Sequence, residues 1–268
     1  MVLVIAGSDS GGGAGIQADQ RAISALGAHA LTAVTALTAQ DTRGVHAVQP
    51  TVPEVLRAQL TVLIEDFPIA AVKTGMLADT TVLDIVLDAV DRLPGLPLVV
   101  DPVMVATTGA RLLAPDAITR LQQHLLPRAS LITPNWPEAL VLADLPADAT
   151  ITPRELLACL RERFRVPVLL KGGHVDADSA TLTDWLDTGS GRVRCFRGVR
   201  LPIRPHGTGC SLASAIAAGL AGGQSLPGAV ASGLQALRKA LQHGQTLGHG
   251  GLTIPDFHWR VKVPGGAR

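Results

Sequence analysis

Val2-Leu3-Val4-Ile5-Ala6, then Gly7-Ser8-Asp9-Ser10-Gly11-Gly12-Gly13-Ala14-Gly15, then the run from Ile16 to Leu26, is the stretch that decides the fold class of this chain. The first segment is the short, uninterrupted apolar run expected of a strand buried on both faces, and the last has helical spacing. Strand, glycine-rich loop and helix in this order make the first half of a βα unit. In open α/β sheets the loop at a strand's carboxyl end is where ligands bind. The glycine spacing lacks the Gly-Lys-Ser/Thr ending of a P-loop and fits the dinucleotide fingerprint only loosely, so a surface loop without a ligand is the alternative at this point.

The same arrangement recurs along the chain. His29 to Ala39 reads as a strand ending on Gln40-Asp41-Thr42-Arg43-Gly44, and Thr51, Pro53 and Glu54 form a capped start for a helix running to Asp66. Ala70 to Thr74 is a strand that ends in Gly75-Met76-Leu77, and Val82 to Val90 is a helix. Leu98 to Val100 delivers Asp101-Pro102-Val103-Met104, while Leu131 to Thr133 delivers Pro134-Asn135-Trp136-Pro137-Glu138. An Asp where a strand stops can hold magnesium, although it is also a common turn residue. Asn135 and Glu138, three apart at a helix start, either face one point of a crevice or cap the helix. Thr152-Pro153-Arg154-Glu155 is a second capping box, opening a helix to Arg165, and Val166 to Leu170 brings Lys171-Gly172-Gly173-His174. Thr181 to Leu186 and Val193 to Phe196 alternate as an antiparallel hairpin at a sheet edge, and Gly233 to Leu241 is a last helix.

A second glycine turn lies far down the chain, in Arg204-Pro205-His206-Gly207-Thr208-Gly209-Cys210, and runs straight into an Ala/Leu/Ile segment that continues to Gly223. A helix N-terminus leaves its first N–H groups unpaired and carries partial positive charge, which makes it an anion site. Glycine lets backbone approach the anion, and the same field is expected to favour a Cys210 thiolate. This suits phosphoryl or acyl chemistry. The plain alternative is a turn that caps a buried helix, with Cys210 as a small core residue.

Composition bounds the remainder. Apolar residues make up 47% of the 268 residues, yet there is no Tyr and only 4 Phe and 3 Trp, so the core is built from Ala, Val, Leu and Ile. Such a core suits parallel strands covered by helices. Lys plus Arg number 23 against 22 Asp plus Glu, a balance that offers no broad footprint for nucleic acid or an anionic membrane. Without a signal-peptide pattern or a bilayer-spanning apolar run, a soluble cytoplasmic protein is expected. Cys159, Cys195 and Cys210 lack the spacing of a zinc site or a disulfide framework. No repeat or linker divides the chain, which points to one α/β domain over 1–268.

Taken together, Ala6-Gly7-Ser8-Asp9 through Asp19, Thr38 to Gly44, Lys73-Thr74-Gly75-Met76-Leu77, Asp101 to Met104, Thr133-Pro134-Asn135, Lys171 to His174, His206 to Cys210 and Gly248-His249-Gly250 resemble the hydroxymethylpyrimidine/phosphomethylpyrimidine kinases of thiamine biosynthesis. These blocks fall in the family's order over nearly the whole chain. The resemblance implies a three-layer ribokinase-like fold with a mostly parallel central sheet, helices on both faces and a small antiparallel edge. ATP and magnesium as cofactors, a pyrimidine substrate phosphorylated twice, and a homodimer are implied with it.

Carried over by position, the family's pyrimidine-binding glutamine falls on Gln40, with Gly7, Ala14, Met76 and Val103 as walls of the pocket. Its anion hole falls on Gly207, Thr208, Gly209 and Cys210, with Cys210 in the catalytic position. Nucleotide-side groups fall on Asn135, Lys171 and Thr208, and magnesium on Asp101 and Glu138. One departure is visible: where many members have Lys-Ser-Gly after the Asp101 block, this chain has Thr107-Thr108-Gly109 and so lacks a basic side chain in that loop. Rival readings are a pyridoxal kinase of the same superfamily, a Cys210–His206 acyltransferase or hydrolase, and a pyrimidine sensor without turnover.

Overall fold

The computed structural model describes residues 1–106, 109–110, 112–175 and 179–258. Its centre is a nine-stranded sheet. In chain order the strands are β1 (Val2–Asp9), β2 (Ala30–Gln40), β3 (Val45–Pro50), β4 (Ala71–Thr74), β5 (Leu98–Val100), β6 (Leu131–Ile132), β7 (Val168–Leu170), β8 (Thr181–Asp187) and β9 (Val193–Val199). In space they lie in the order β3-β2-β1-β4-β5-β6-β7-β8-β9. Strands β2, β1, β4, β5, β6 and β7 are parallel, so all their carboxyl ends open onto one edge. A hairpin of β10 (Gln245–Leu247) and β11 (Leu252–Ile254) stands apart from the sheet.

Alternation along the parallel strands builds the three layers. Leu3, Ile5, Val72 and Val100 face one core, covered by α2 (Pro53–Asp66), α3 (Thr80–Asp91), α4 (Pro115–Arg120), α5 (Trp136–Leu142) and α6 (Pro153–Phe164). Val2, Val4, Ala6 and Val99 face the other core, covered by α1 (Gly15–Ala25), α7 (Thr208–Ala221) and α8 (Leu226–Gln242). The central parallel strands are buried on both faces, so Val2–Ala6, β5, β6 and β7 read as unbroken apolar runs, as the composition implied.

The expected strands and helices are present, with several differences at their ends. The hairpin β8–β9 forms the antiparallel edge that was expected. The opposite edge is antiparallel too, because β3 pairs with β2, and no strand was expected at 45–50. Thr152 and Glu155 make the capping box of α6. Thr51, by contrast, does not cap α2: its hydroxyl donates to the Val34 carbonyl instead, and Val52 occupies the cap position without a side-chain bond. Helix α8 starts seven residues before the expected Gly233, at Leu226. The departure at Thr107 and Thr108 lies outside the described residues.

A trio of polar side chains is set deep in this interior. Lys73, on β4, is fully buried and its Nζ lies 2.8 and 2.9 Å from the carboxylate oxygens of Asp19 on α1. The Ser214 hydroxyl on α7 donates to the same carboxylate at 2.7 Å. Burial works against the Lys73 charge, but the Asp19 carboxylate outweighs it and holds the ammonium protonated. Removing one partner of such a pair strands the other charge. Lys73→Met is therefore expected to lower unfolding free energy by about 3 to 5 kcal/mol. Urea denaturation of that variant and of Lys73→Met/Asp19→Asn checks this: the double variant should recover part of the loss, and an undiminished loss would assign it to packing.

Candidate active site

The first glycine loop is shaped by Asp9, at the carboxyl end of β1. Its Oδ1 accepts the N–H of Gly11 at 2.8 Å, and its Oδ2 accepts those of Gly13 at 3.0 Å and Ala14 at 2.8 Å. Burial opposes the charge on Asp9, yet the His206 contact and these backbone donors outweigh it and hold the carboxyl below its usual range. Gly7 marks a register shift between β1 and β2, and a Cβ there would meet the Met76 sulfur at 3.0 Å. Gly15 has φ 55°, and a Cβ on it would come within 2.4 Å of the Gly7 carbonyl oxygen. Only glycine fits where the loop closes on its own strand.

The second turn packs directly on the first. Gly207 caps α7 in the left-handed region, at φ 71°, and a Cβ there would stand 1.9 Å from the Gly13 carbonyl oxygen and 3.1 Å from the Ala14 Cα. Ser211 is the first residue of α7 whose N–H returns to the Gly207 carbonyl. Helix geometry thus leaves the N–H groups of Thr208, Gly209 and Cys210 without intrahelical acceptors. On its far side the turn meets a charged cluster: a Cβ on Gly209 would lie 3.0 Å from the Lys171 Nζ and 3.4 Å from the Asp101 Oδ2.

That cluster joins the ends of β5, β6 and β7. Lys171 is 2.8 Å from the Asp101 Oδ1 and 3.9 Å from the Glu138 Oε2, and the Thr133 hydroxyl lies 3.2 Å from the same Asp101 oxygen. Asn135 and Glu138 form a reciprocal capping box at the start of α5, so the capping reading of both residues holds. Glu138 has a second face, towards Lys171. Burial, only partly offset by Lys171, pushes its carboxyl up to about 7, and the Asp101 charge adds to the rise.

Gln40 ends β2 beside the Asp9 loop. Its amide lies 3.3 Å from the His206 Nε2 and 3.4 Å from the Thr38 hydroxyl, while its backbone exchanges two hydrogen bonds with the Ser10 side chain. Gly7, Ala14, Met76 and Gln40 therefore gather around the two turns. Val103 stands further along, just after Asp101, to whose carbonyl its N–H donates at 2.8 Å. Sequence reasoning did not single out Asp9, Asp19 or Lys73 as site-forming residues. An Asp among glycines was the one available signal for Asp9.

Cys210 differs from the expectation. Burial pushes its thiol up to about 11, although the neighbouring Lys73 ammonium pulls the other way and the Gly15 N–H reaches the sulfur. This desolvation works against the helix field and favours the neutral thiol over the expected thiolate. His206 turns towards Asp9 and Gln40, and no hydrogen bond links it to Cys210 among the described residues.

With this geometry in view, comparison with known proteins is informative. The family described as phosphomethylpyrimidine kinase matches residues 9–254. The chain belongs to that family. Among its relatives, the hydroxymethylpyrimidine/phosphomethylpyrimidine kinase of Rhizobium meliloti (strain 1021) is 42% identical over 262 residues, covering 96% of this chain and 97% of the relative. The protein of that name from Escherichia coli (strain K12) is 41% identical over 262 residues, with the same coverage. Among solved structures, an ADP complex of Bacillus subtilis pyridoxal kinase superposes with TM-score 0.86 at 28% identity, covering 97% of this chain and 98% of that one. A phosphomethylpyrimidine kinase from Clostridium difficile 630 superposes with TM-score 0.74 at 34% identity, covering 87% and 95%.

The thiol state is open to direct measurement. Alkylation of Cys210 by iodoacetamide, followed by peptide mass spectrometry to separate it from the exposed Cys159 and Cys195, should be slow at neutral pH. Its rate is expected to climb with pH beyond 9, because only the thiolate attacks. A rate that levels off below pH 8 would restore the thiolate and refute the burial argument.

Proposed function

We propose that this chain transfers the γ-phosphoryl group of ATP to 4-amino-5-hydroxymethyl-2-methylpyrimidine, and then a second phosphoryl group to the monophosphate, as a step of thiamine biosynthesis. The observation that carries the reading is the position of the Gly207–Cys210 turn. It touches Gly13 and Ala14 on the Gln40 side and Lys171 and Asp101 on the other. An anion hole between an amide-bearing pocket and a charged cluster is what in-line phosphoryl transfer between two bound molecules needs.

In this reading the N–H groups of Thr208, Gly209 and Cys210 hold the oxygens of the migrating phosphoryl as charge grows on them. Lys171, held by Asp101, meets the nucleotide phosphates as a point charge, with Asn135 and Thr208 on the same side. Gln40 offers a donor and an acceptor to the edge of the ring, and Gly7, Ala14, Met76 and Val103 bound its faces. Cys210 stands as a neutral thiol at the hydroxyl to be phosphorylated. We further propose a single kinase domain over 1–268, acting in the cytoplasm as a homodimer. No helix among the described residues is long and apolar enough to cross a membrane.

The residues present fit a magnesium ion that keeps phosphate oxygens and water as most of its ligands. Among the described residues no three His, Cys, Asp or Glu side chains form a cage for a metal, which magnesium bound with a nucleotide does not require. Asp101 and Glu138 would hold it, and it would offset triphosphate charge.

Incubation with ATP, magnesium and the hydroxymethylpyrimidine, followed by mass analysis, is expected to yield the monophosphate and then the diphosphate. Folded protein that makes neither product would end the kinase reading, and faster turnover of pyridoxal would move it to the neighbouring vitamin. Gln40→Leu should weaken the acceptor by roughly 1 to 3 kcal/mol, by leaving ring polar groups unmatched, with nucleotide affinity preserved. Equal weakening of both ligands would give Gln40 a structural role instead.

A further inference from the structure

His206 lies between the two glycine turns and is only 5% exposed. Its ring rests on the Gly13 backbone, where a Cβ would approach Cδ2 to 2.4 Å. The Nε2 atom lies 3.4 Å from the Asp9 Oδ2 and 3.3 Å from the amide nitrogen of Gln40. Nδ1 is buried and has no hydrogen-bond partner. At the other end of the amide, Thr38 Oγ1 lies 3.4 Å from Oε1 and 2.9 Å from the Ser8 carbonyl oxygen.

Counting protons shows that this arrangement of the amide is unfavourable. To accept from the Gln40 nitrogen, the His206 Nε2 must be bare, and its lone pair then faces the Asp9 carboxylate. The imidazole proton is forced onto Nδ1, where it is buried without an acceptor. Thr38 has a single hydroxyl proton, which would have to serve both the Ser8 carbonyl and the Gln40 oxygen. A half-turn of the amide removes the first and third conflicts and leaves Nδ1 unpartnered as a bare nitrogen in place of a buried N–H. Nε2–H then donates towards Asp9 and the Gln40 oxygen, Nδ1 becomes the bare acceptor, and Thr38 donates to Ser8 while accepting from the Gln40 nitrogen. The amide's two ends have nearly the same shape, so the exchange leaves packing unchanged.

We propose that His206 is a positioning residue that holds the Gln40 amide with its oxygen towards the Gly207–Cys210 turn and its nitrogen towards Thr38, and so sets the orientation of the acceptor ring. The ring half of this rests on the pyrimidine kinase reading given above. With the amide so held, the ring's amino group donates to Gln40 Oε1 on the His206 side, and the adjacent ring nitrogen accepts from Nε2 on the Thr38 side. The hydroxymethyl carbon neighbours the amino carbon on its other flank. The reacting hydroxyl is thereby carried towards Gly207–Cys210, whereas the opposite amide orientation would turn it away.

Two measurements test this. In wild-type protein, nuclear Overhauser contacts from the Gln40 side-chain NH2 protons are expected to be stronger to Thr38 protons than to the His206 ring; the reverse order refutes the amide arrangement, and the result depends on no variant folding. By calorimetry, His206→Leu should weaken the aminopyrimidine about tenfold or more, but 5-hydroxymethyl-2-methylpyrimidine, which lacks the amino group, by no more than about threefold. His206→Gln, whose amide can again donate near Nε2, should recover most of the loss. Equal weakening of the two pyrimidines by His206→Leu, or no recovery with Gln, overturns the proposal. Wild-type protein that binds neither pyrimidine refutes the acceptor and the ring half together, while the contact to Thr38 still decides the amide half.

Discussion

The buried contact between Lys73 and Asp19 is the interaction on which the geometry of the crevice depends. It joins β4 at the sheet centre to α1, and through Ser214 to α7. These helices begin at the two glycine turns, so the pair fixes the relation between the loop at 11–15 and the turn at 207–210. A desolvated ammonium tolerates little displacement from its carboxylate, because the attraction that offsets its burial falls away as the contact lengthens. Apolar packing alone fills space but leaves helices free to slide by fractions of an ångström. Here the polar contact determines where α1 and α7 start relative to each other.

The same interior explains why backbone, and not side chains, supplies so much of the proposed chemistry. Gly207 and Gly13 approach closely enough that neither turn could carry a Cβ at the contact. What the second turn offers there is the set of unpaired N–H groups at the start of α7. Such donors are fixed by secondary structure and require no reorientation when charge develops on a bound phosphoryl group. Lys171, Asp101 and Glu138 are gathered on one side and held there by one another, while Asp9 on the other side is taken up by the backbone donors of its own loop.

Much of this was legible in the sequence because a strand, a glycine turn and a helix are local events. Leu98 to Val100 needs only its own apolar run to be read as a strand, and Gly207-Thr208-Gly209 needs only its neighbours to be read as a helix entrance. What escaped depends on partners far away. Strand β3 carries a proline at its end and leaves residues 46–49 exposed, and it is held by pairing with β2. Lys73 and Asp19 are 54 positions apart, and Gln40 and His206 are 166 apart. Residue type alone does not announce such contacts. The Cys210 state was missed for a related reason: a helix start is visible in sequence, whereas the depth at which the thiol sits is not.

That depth bears on how one crevice could serve two successive acceptors. The proposed first acceptor is neutral, and the second carries a phosphate dianion into the same space. A carboxylate at the entrance of α7 would repel that dianion, and a thiolate would do so as well. A thiol held protonated by burial adds no negative charge, so the partial positive charge of the helix end stays available to both phosphates. On the proposed function, a Cys210 held as a neutral thiol at this anion site is compatible with both acceptors.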